Sequence, residues 1–317
     1  MTAFGRLVRD VDVDGLLSLG DQLVLFQSHH HALFLDQTAT DALGGESWGV
    51  RRQAAFEASH ALLASLCAEF GIVGAAERLD LAIELFGAMG HGRLALNVTA
   101  EGGEARGERL HYGGGFAEKY GGRLKTRRRV DAFAAGYVSA AASLAFPSDW
   151  GALEAEETAC VARGDPACVL SLTRRPERAR FGTVVTRPLV EALPRPPADE
   201  PPTPTHPETA RVAAAVTRWM ADLAADDYGR VRTFGTNVAI VPVSYADQVA
   251  YDTMHLVEKR APELFPVALA LVREAAELGA FHLVGGALAS PEWLNDFGPV
   301  ARDVELRLYQ AVGVARA

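Results

Sequence analysis

The chain has 317 residues, 49% of them hydrophobic and 22% charged, the balance of a globular protein with one or two packed domains. A formal charge of −9 and a pI near 5.5 exclude a broad nucleic-acid footprint, which needs a clear basic excess, and the run Arg127-Arg128-Arg129 is too short to reverse that. Three cysteines are too few for a disulfide framework, the first residues carry no apolar signal stretch, and no window reaches the roughly 18 uninterrupted apolar residues of a membrane span, so a cytoplasmic protein with no nucleic acid and no membrane among its partners is expected.

In chain order, Gln22 to Phe26 (QLVLF) has the apolar, β-branched character of a short strand. The run His29-His30-His31 follows; consecutive residues on an extended segment point to alternate faces and do not converge on one ion, so it reads as a surface run. A long helix is predicted from about Val50 to Phe70, with Phe56, Leu62, Leu63, Leu66 and Phe70 near one face, Cys67 as plain core and Gly71 as the stop. A second helix over Ala75 to Met89 carries Leu79, Ile83 and Phe86 on one side and ends at Gly90-His91-Gly92. Leu94 to Thr99 alternates with the period of a half-buried strand, and glycines over 102–107 and 113–115 punctuate further short strands. The glycines of His111-Tyr112-Gly113-Gly114-Gly115 lack both the dinucleotide-binding spacing and the P-loop lysine of a phosphate cradle.

The helix predicted from Val130 to Leu144 is rich in alanine, which either lets another backbone approach closely or leaves a void for a ligand. Glu154, Glu156 and Glu157 read as a solvated turn, and Cys160 to Leu172 as strand, Gly-Asp-Pro turn, strand. Pro188 to Pro207 is an extended proline-rich linker dividing a first domain, 1–187, from a helix-rich C-terminal domain, 208–317. Beyond it, helices are predicted over Pro207 to Ala225, Tyr245 to Arg260, Pro262 to Leu278 and Val300 to Val314. Thr236 to Ser244 is a strand placed at a sheet edge or bulge, because Pro242 cannot donate to a ladder. The windows 78–90 (RLDLAIELFGAMG) and 301–313 (ARDVELRLYQAVG) are similar enough that the C-terminal half reads either as a degenerate partial repeat or as a helix sharing the same period.

The chemistry concentrates in Glu157-x2-Cys160-x7-Cys168. Two thiolates and a carboxylate brought together by a tight turn are ligands of the type zinc prefers, provided one more arrives from elsewhere; the plainer reading is a cross-strand pair of small buried hydrophobes. This stretch resembles the C-terminal signature of the 4-vinyl-reductase (4VR) domain, a glutamate three residues before a cysteine, a Gly-Asp turn and a second cysteine. Gly136-Tyr137-Val138-Ser139-Ala140 resembles that family's Gly-Tyr-x-Ser-Gly helix, and Gly90-His91-Gly92 stands where members often carry Gly-Trp-Gly. The resemblance runs from about Leu23 to Thr173. The family includes phenol-sensing domains of bacterial activators and is structurally akin to TRAPP vesicle-tethering subunits.

The resemblance implies an α/β fold of the α+β kind, with helices packed on an antiparallel sheet. It also implies a structural zinc held by Glu157, Cys160, Cys168 and a third cysteine that is Asp131 here. It further implies a pocket for a small apolar or aromatic molecule, for which the candidate lining residues are Trp48, Phe56, His60, Phe86, His91, His111, Tyr137 and Trp150. Histidines in such a wall can pair with a ligand hydroxyl, although any one of these residues, His60 above all, also reads as ordinary core. The function expected is a small-molecule sensor or carrier working as a homodimer and through a partner protein. The alternatives are a non-catalytic interaction scaffold and an enzyme acting on an aromatic or tetrapyrrole substrate. Against the last, there is no Gly-x-Ser-x-Gly elbow and no His-Glu-x-x-His.

Overall fold

The structure is a computed structural model that describes residues 8–9, 17–121, 123–147, 151–175 and 218–290. Its strands form two antiparallel sheets. The first takes β1 (Val8–Arg9), β2 (Leu17–Leu19) and β3 (Gln22–Ser28) together with β8 (Val231–Thr233) and β9 (Thr236–Pro242), in the order β1-β2-β3-β9-β8. The second takes β4 (Ala95–Thr99), β5 (Gly102–Gly107), β6 (Leu153–Ala159) and β7 (Cys168–Arg174), in the order β4-β5-β7-β6. Helices pack around them, so the expected mixed α/β class with antiparallel pairing holds.

β9 is buried along its whole length and pairs with β3 from Val24↔Pro242 to Ser28↔Val238. The near-continuous apolar run Val238-Ala239-Ile240-Val241 fits a strand covered on both faces. This corrects the expected edge position. Pro242 is the last residue of the strand and caps the next helix, where its missing N–H breaks no ladder. The residues after the proline-rich stretch, expected to form a helix-rich domain of their own, therefore contribute two strands to the sheet that β2 and β3 begin. The linker 188–207, the helix over 300–314 and the second repeat window lie outside the described residues, as does most of the helix expected from Pro207 to Ala225.

The histidine run is not a surface strand. Ser28 accepts a hydrogen bond from the His31 N–H and starts α1 (His29–Leu43), which buries His29. α2 (Glu46–Phe70) begins a turn earlier than expected and ends at Gly71 in the left-handed region. α3 (Ala75–Ala88) leads into Gly90, whose φ of +85° and a near approach to β9 both demand glycine, since a β-carbon would lie 2.6 Å from the Val238 carbonyl. From there the chain is stitched to the C-terminal strands. Ile240 N–H donates to Met89 O at 2.8 Å, and Gly92 and Arg93 N–H donate to the carbonyls of Gly229 and Tyr228.

The glycine-rich segment after β5 is not a loop but the first turn of α4 (His111–Tyr120), with residues 111–115 all buried. The acidic stretch 154–157 is not a solvated turn but part of β6. There Arg52 reaches both Glu154 and Glu156, and Glu157 is buried. After the Pro242 cap, α6 (Val243–Arg260) and α7 (Phe265–Ala280) follow; α7 runs on through a π turn, Phe281–Gly285.

At the centre lies α5 (Ala132–Ala145), buried on every side from Ala132 to Ser143. Close approach is required at its glycine: at Gly136 a β-carbon would collide with the Arg52 carbonyl and lie 2.7 Å from the Phe56 N, both on α2. Ser139 on the same helix accepts from Ala155 N–H of β6 at 2.9 Å and donates to Ala135 O, and the Tyr137 hydroxyl donates to Ala82 O of α3. One helix is thus keyed to α2 by small residues and to α3 and β6 by two hydrogen bonds. Gly136→Val is expected to lower the stability of the fold by more than about 3 kcal/mol through backbone displacement, read as a fall in the urea unfolding midpoint.

Candidate functional site

Two neighbouring arrangements grow from the first turns of α4 and α5. In the first, Asp131, the residue before α5, meets Cys160 and Cys168. The Cys160 thiol donates to Asp131 Oδ2 at 3.2 Å and lies 3.3 Å from Cys168 Sγ, and the three ligand atoms are all within 4.8 Å of one another. The local sequence explains this. Cys160 follows β6, a turn of 3-10 helix over Val161–Arg163 reverses the chain, Gly164 takes φ +95°, and Asp165 accepts from Cys160 N–H at 2.8 Å, so that Cys168 opens β7 beside Cys160.

Gly113 of α4 forms the lid of this cluster. Its N–H donates to Asp131 Oδ1 at 2.9 Å, and a β-carbon there would lie 2.6 Å from both Asp131 Oδ2 and Cys160 Sγ. Glu157 stands beside the trio rather than within it. Its Oε2 accepts from the N–H groups of Val130 and Asp131 at 3.0 and 2.8 Å, and its Oε1 is buried with no hydrogen-bond partner among the described residues. Burial, and then the Asp131 charge, push the Glu157 carboxyl up to about 8; burial also raises Asp131. The bond to Cys168 together with burial raises the Cys160 thiol. Without a metal, Glu157 and the two thiols are therefore largely protonated at neutral pH, and a metal ion held by the thiols would displace their protons.

The second arrangement is a buried group of rings. His91 stacks on Phe133 at 4.2 Å and meets Phe86 at 5.2 Å; Phe86 meets Tyr137 at 4.8 Å. His111 approaches His91 edge-on at 5.8 Å, and Tyr245 meets Phe133 at 4.9 Å. The Tyr112 hydroxyl donates to Gln27 Oε1 and lies 3.2 Å from that of Tyr245. His91 Nε2 donates to Ile240 O at 2.7 Å, which leaves Nδ1 a bare acceptor. At His111, 2% exposed, neither ring nitrogen has a hydrogen-bond partner among the described residues. Burial first, then the neighbouring histidines, hold His111 well below the ordinary imidazole pKa, so its ring is neutral, with one donor and one acceptor free.

Of the expected lining residues, Phe86, His91, His111 and Tyr137 are thus brought together. Phe56 and His60 pair with each other on α2 at 5.9 Å, and Trp48 borders a separate cleft beneath the Arg129 guanidinium, 4.7 Å from its ring. Trp150 lies outside the described residues. Tyr112, Phe133 and Tyr245 complete the ring group without having been singled out. The first two adjoin residues the sequence flags, whereas Tyr245 arrives from beyond the proline-rich stretch with no local signal.

No family model matches the chain, and no curated protein does. Among solved structures, the chain is similar to the phenol-responsive sensory domain of the transcription activator PoxR, crystallised with phenol. The identity is 20% over 54% of this chain and 86% of that one, with a TM-score of 0.44. The expected 4VR membership accordingly stands on the quoted residues alone.

Burial holds His91 near pH 4, below its value of 6.5 in an unfolded chain. The unfolded state then binds the extra proton, so this residue's contribution to stability is intact above pH 6.5 and drains away as the pH falls toward 4, by on the order of 3 kcal/mol. The urea midpoint of His91→Gln is expected to fall less steeply than that of the parent across this window.

Proposed function

We propose that the protein is a sensor or carrier that binds one small aromatic molecule bearing a hydroxyl group, seated among His91, His111 and Phe133. The observation that carries this reading is His111. A neutral imidazole with two unsatisfied nitrogens inside an aromatic wall is costly in an empty protein, and a hydroxyl that can both donate and accept relieves the cost. The surrounding rings supply the apolar walls such a guest needs. The guest enters by parting the His91–Phe133 stack, and because Phe133 and His111 lie in the first turns of α5 and α4, occupancy is felt at those two helix ends. The shift equals only the difference in ligand affinity between the two arrangements.

Output passes through a second copy of the chain or a partner protein, for which the exposed apolar side chains Leu264 and Val267, bordering one groove, offer a surface. Titration with phenol and with toluene tests the binding step. Phenol is expected to bind more tightly, and His111→Phe to erase that preference, a change of about tenfold. Equal binding of both, or none, removes the sensing role and leaves the interaction scaffold.

Zinc fits the donor set of Asp131, Cys160 and Cys168, with the orphaned Glu157 Oε1 beside it. When bound it supplies a cross-link between the β6–β7 turn and the start of α5. These residues hold the ends of α4 and α5 in register and so fix His111 relative to Phe133. Elemental analysis is expected to find one zinc per chain, absent from Cys168→Ala, and a chelator to lower the melting temperature by at least about 5 °C. A metal-free protein whose melting is indifferent to chelator leaves the cysteines as plain core.

A further inference from the structure

A cleft of about 570 Å³, apart from the ring cluster, is bordered by Trp48, Arg51, Arg127, Arg128, Arg129 and Arg163. Against these five guanidiniums its wall sets only Glu156 and Glu157, so it concentrates positive charge on a chain whose net charge is −9. Not all of that charge is spent. Arg51 is committed to Asp36 and Arg129 to Glu156. Arg128 meets Asp41 at 3.5 Å with both side chains more than half exposed, a pairing worth little in water. Arg127 has no ion-pair partner among the described residues.

A second, independent observation points to a guest. Trp48, in the cleft wall, is 6% exposed, and its buried indole N–H has no acceptor among the described residues. The Arg163 Nε is likewise without one. Buried donors of this kind are expensive unless an acceptor arrives. Glu156 is held by Arg52 as well as by Arg129, so an incoming anion that takes Arg129 does not strand it.

We propose that this cleft binds a multiply charged oxyanion of small-molecule size, a phosphate ester or a polycarboxylate, through Arg127, Arg128 and Arg129 with the Trp48 N–H as a directional donor. Planar guanidiniums offer paired donors to phosphate or carboxylate oxygens, and the volume suits a metabolite. The site is independent of the aromatic one, since they share no residue.

Calorimetric titration of the full chain with fructose 1,6-bisphosphate and with tricarballylate, neither a strong zinc chelator, tests it. One-site binding of at least one of them is expected to persist at physiological ionic strength, and the tighter of the two identifies the phosphate or the carboxylate source. Arg127→Ala with Arg128→Ala, both on the surface, is expected to weaken it at least about tenfold without moving the unfolding midpoint. Trp48→Phe keeps the ring, deletes the N–H and is expected to weaken it about fivefold. Absence of saturable binding by either anion, or an isotherm that the double arginine variant leaves unchanged, overturns the proposal. Phenol titration of the same double variant stays normal in either case, which keeps the two sites distinguishable.

Discussion

The N–H of Gly113 given to the Asp131 carboxylate is the contact on which the interior turns. It joins the first turn of one helix to the residue before another at a spacing no side chain could share, because the thiols of Cys160 and Cys168 occupy the space a β-carbon would need. From that junction the two helices diverge with their opening residues facing the same interior. His111 and Tyr112 come from one, Phe133 and Tyr137 from the other, and Glu157 holds the second in place through two backbone N–H groups. The cysteine corner and the ring cluster are therefore two faces of one junction.

Much of this was legible in the sequence where chemistry is local. Glu157, Cys160 and Cys168 lie within a dozen residues, and the Gly-Asp turn between the cysteines announces their meeting; Asp131 emerged only by comparison with a family pattern. Amphipathic periodicity marks the helices ending at Phe70 and near Met89, but α1 is hidden because three histidines carry no apolar period and a lone serine cap at Ser28 is a weak signal without one. α4 escaped because glycine, read as punctuation, here serves close packing inside a helix. The strand over 153–159 was masked by its glutamates, which tolerate strand geometry because Arg52, Arg129 and Arg175 neutralise two of them. Pro242 misled in the opposite sense, since a terminal proline constrains only the ladder position it occupies.

The polar groups of the interior are arranged in tiers. Arg51 and Asp36 form a buried pair, with the Asp36 carboxyl raised to about 6 by burial against the opposing pull of Arg51. The tyrosine hydroxyls of 112 and 245 lie close enough for this pair to influence both their ionisation equilibria. Such a pair contributes little net stability, because desolvation offsets the attraction, but it penalises any packing that separates the partners. It favours one arrangement of α1 and α2, while the neutral histidines nearby remain the groups whose hydrogen bonding is left open.

The pairing of β3 with β9 also governs how the molecule comes into being. His29 Nδ1 pairs with the backbone of Asn237 across 208 residues of sequence, so this edge cannot be completed until most of the polypeptide has left the ribosome. Until then Val24 and Phe26 sit on an unsatisfied strand, an invitation to sticky encounters between nascent molecules. Nonlocal closure of this kind makes maturation slow relative to a bundle of local helices. Shielding of that bare edge during synthesis is therefore what such a topology asks of its surroundings.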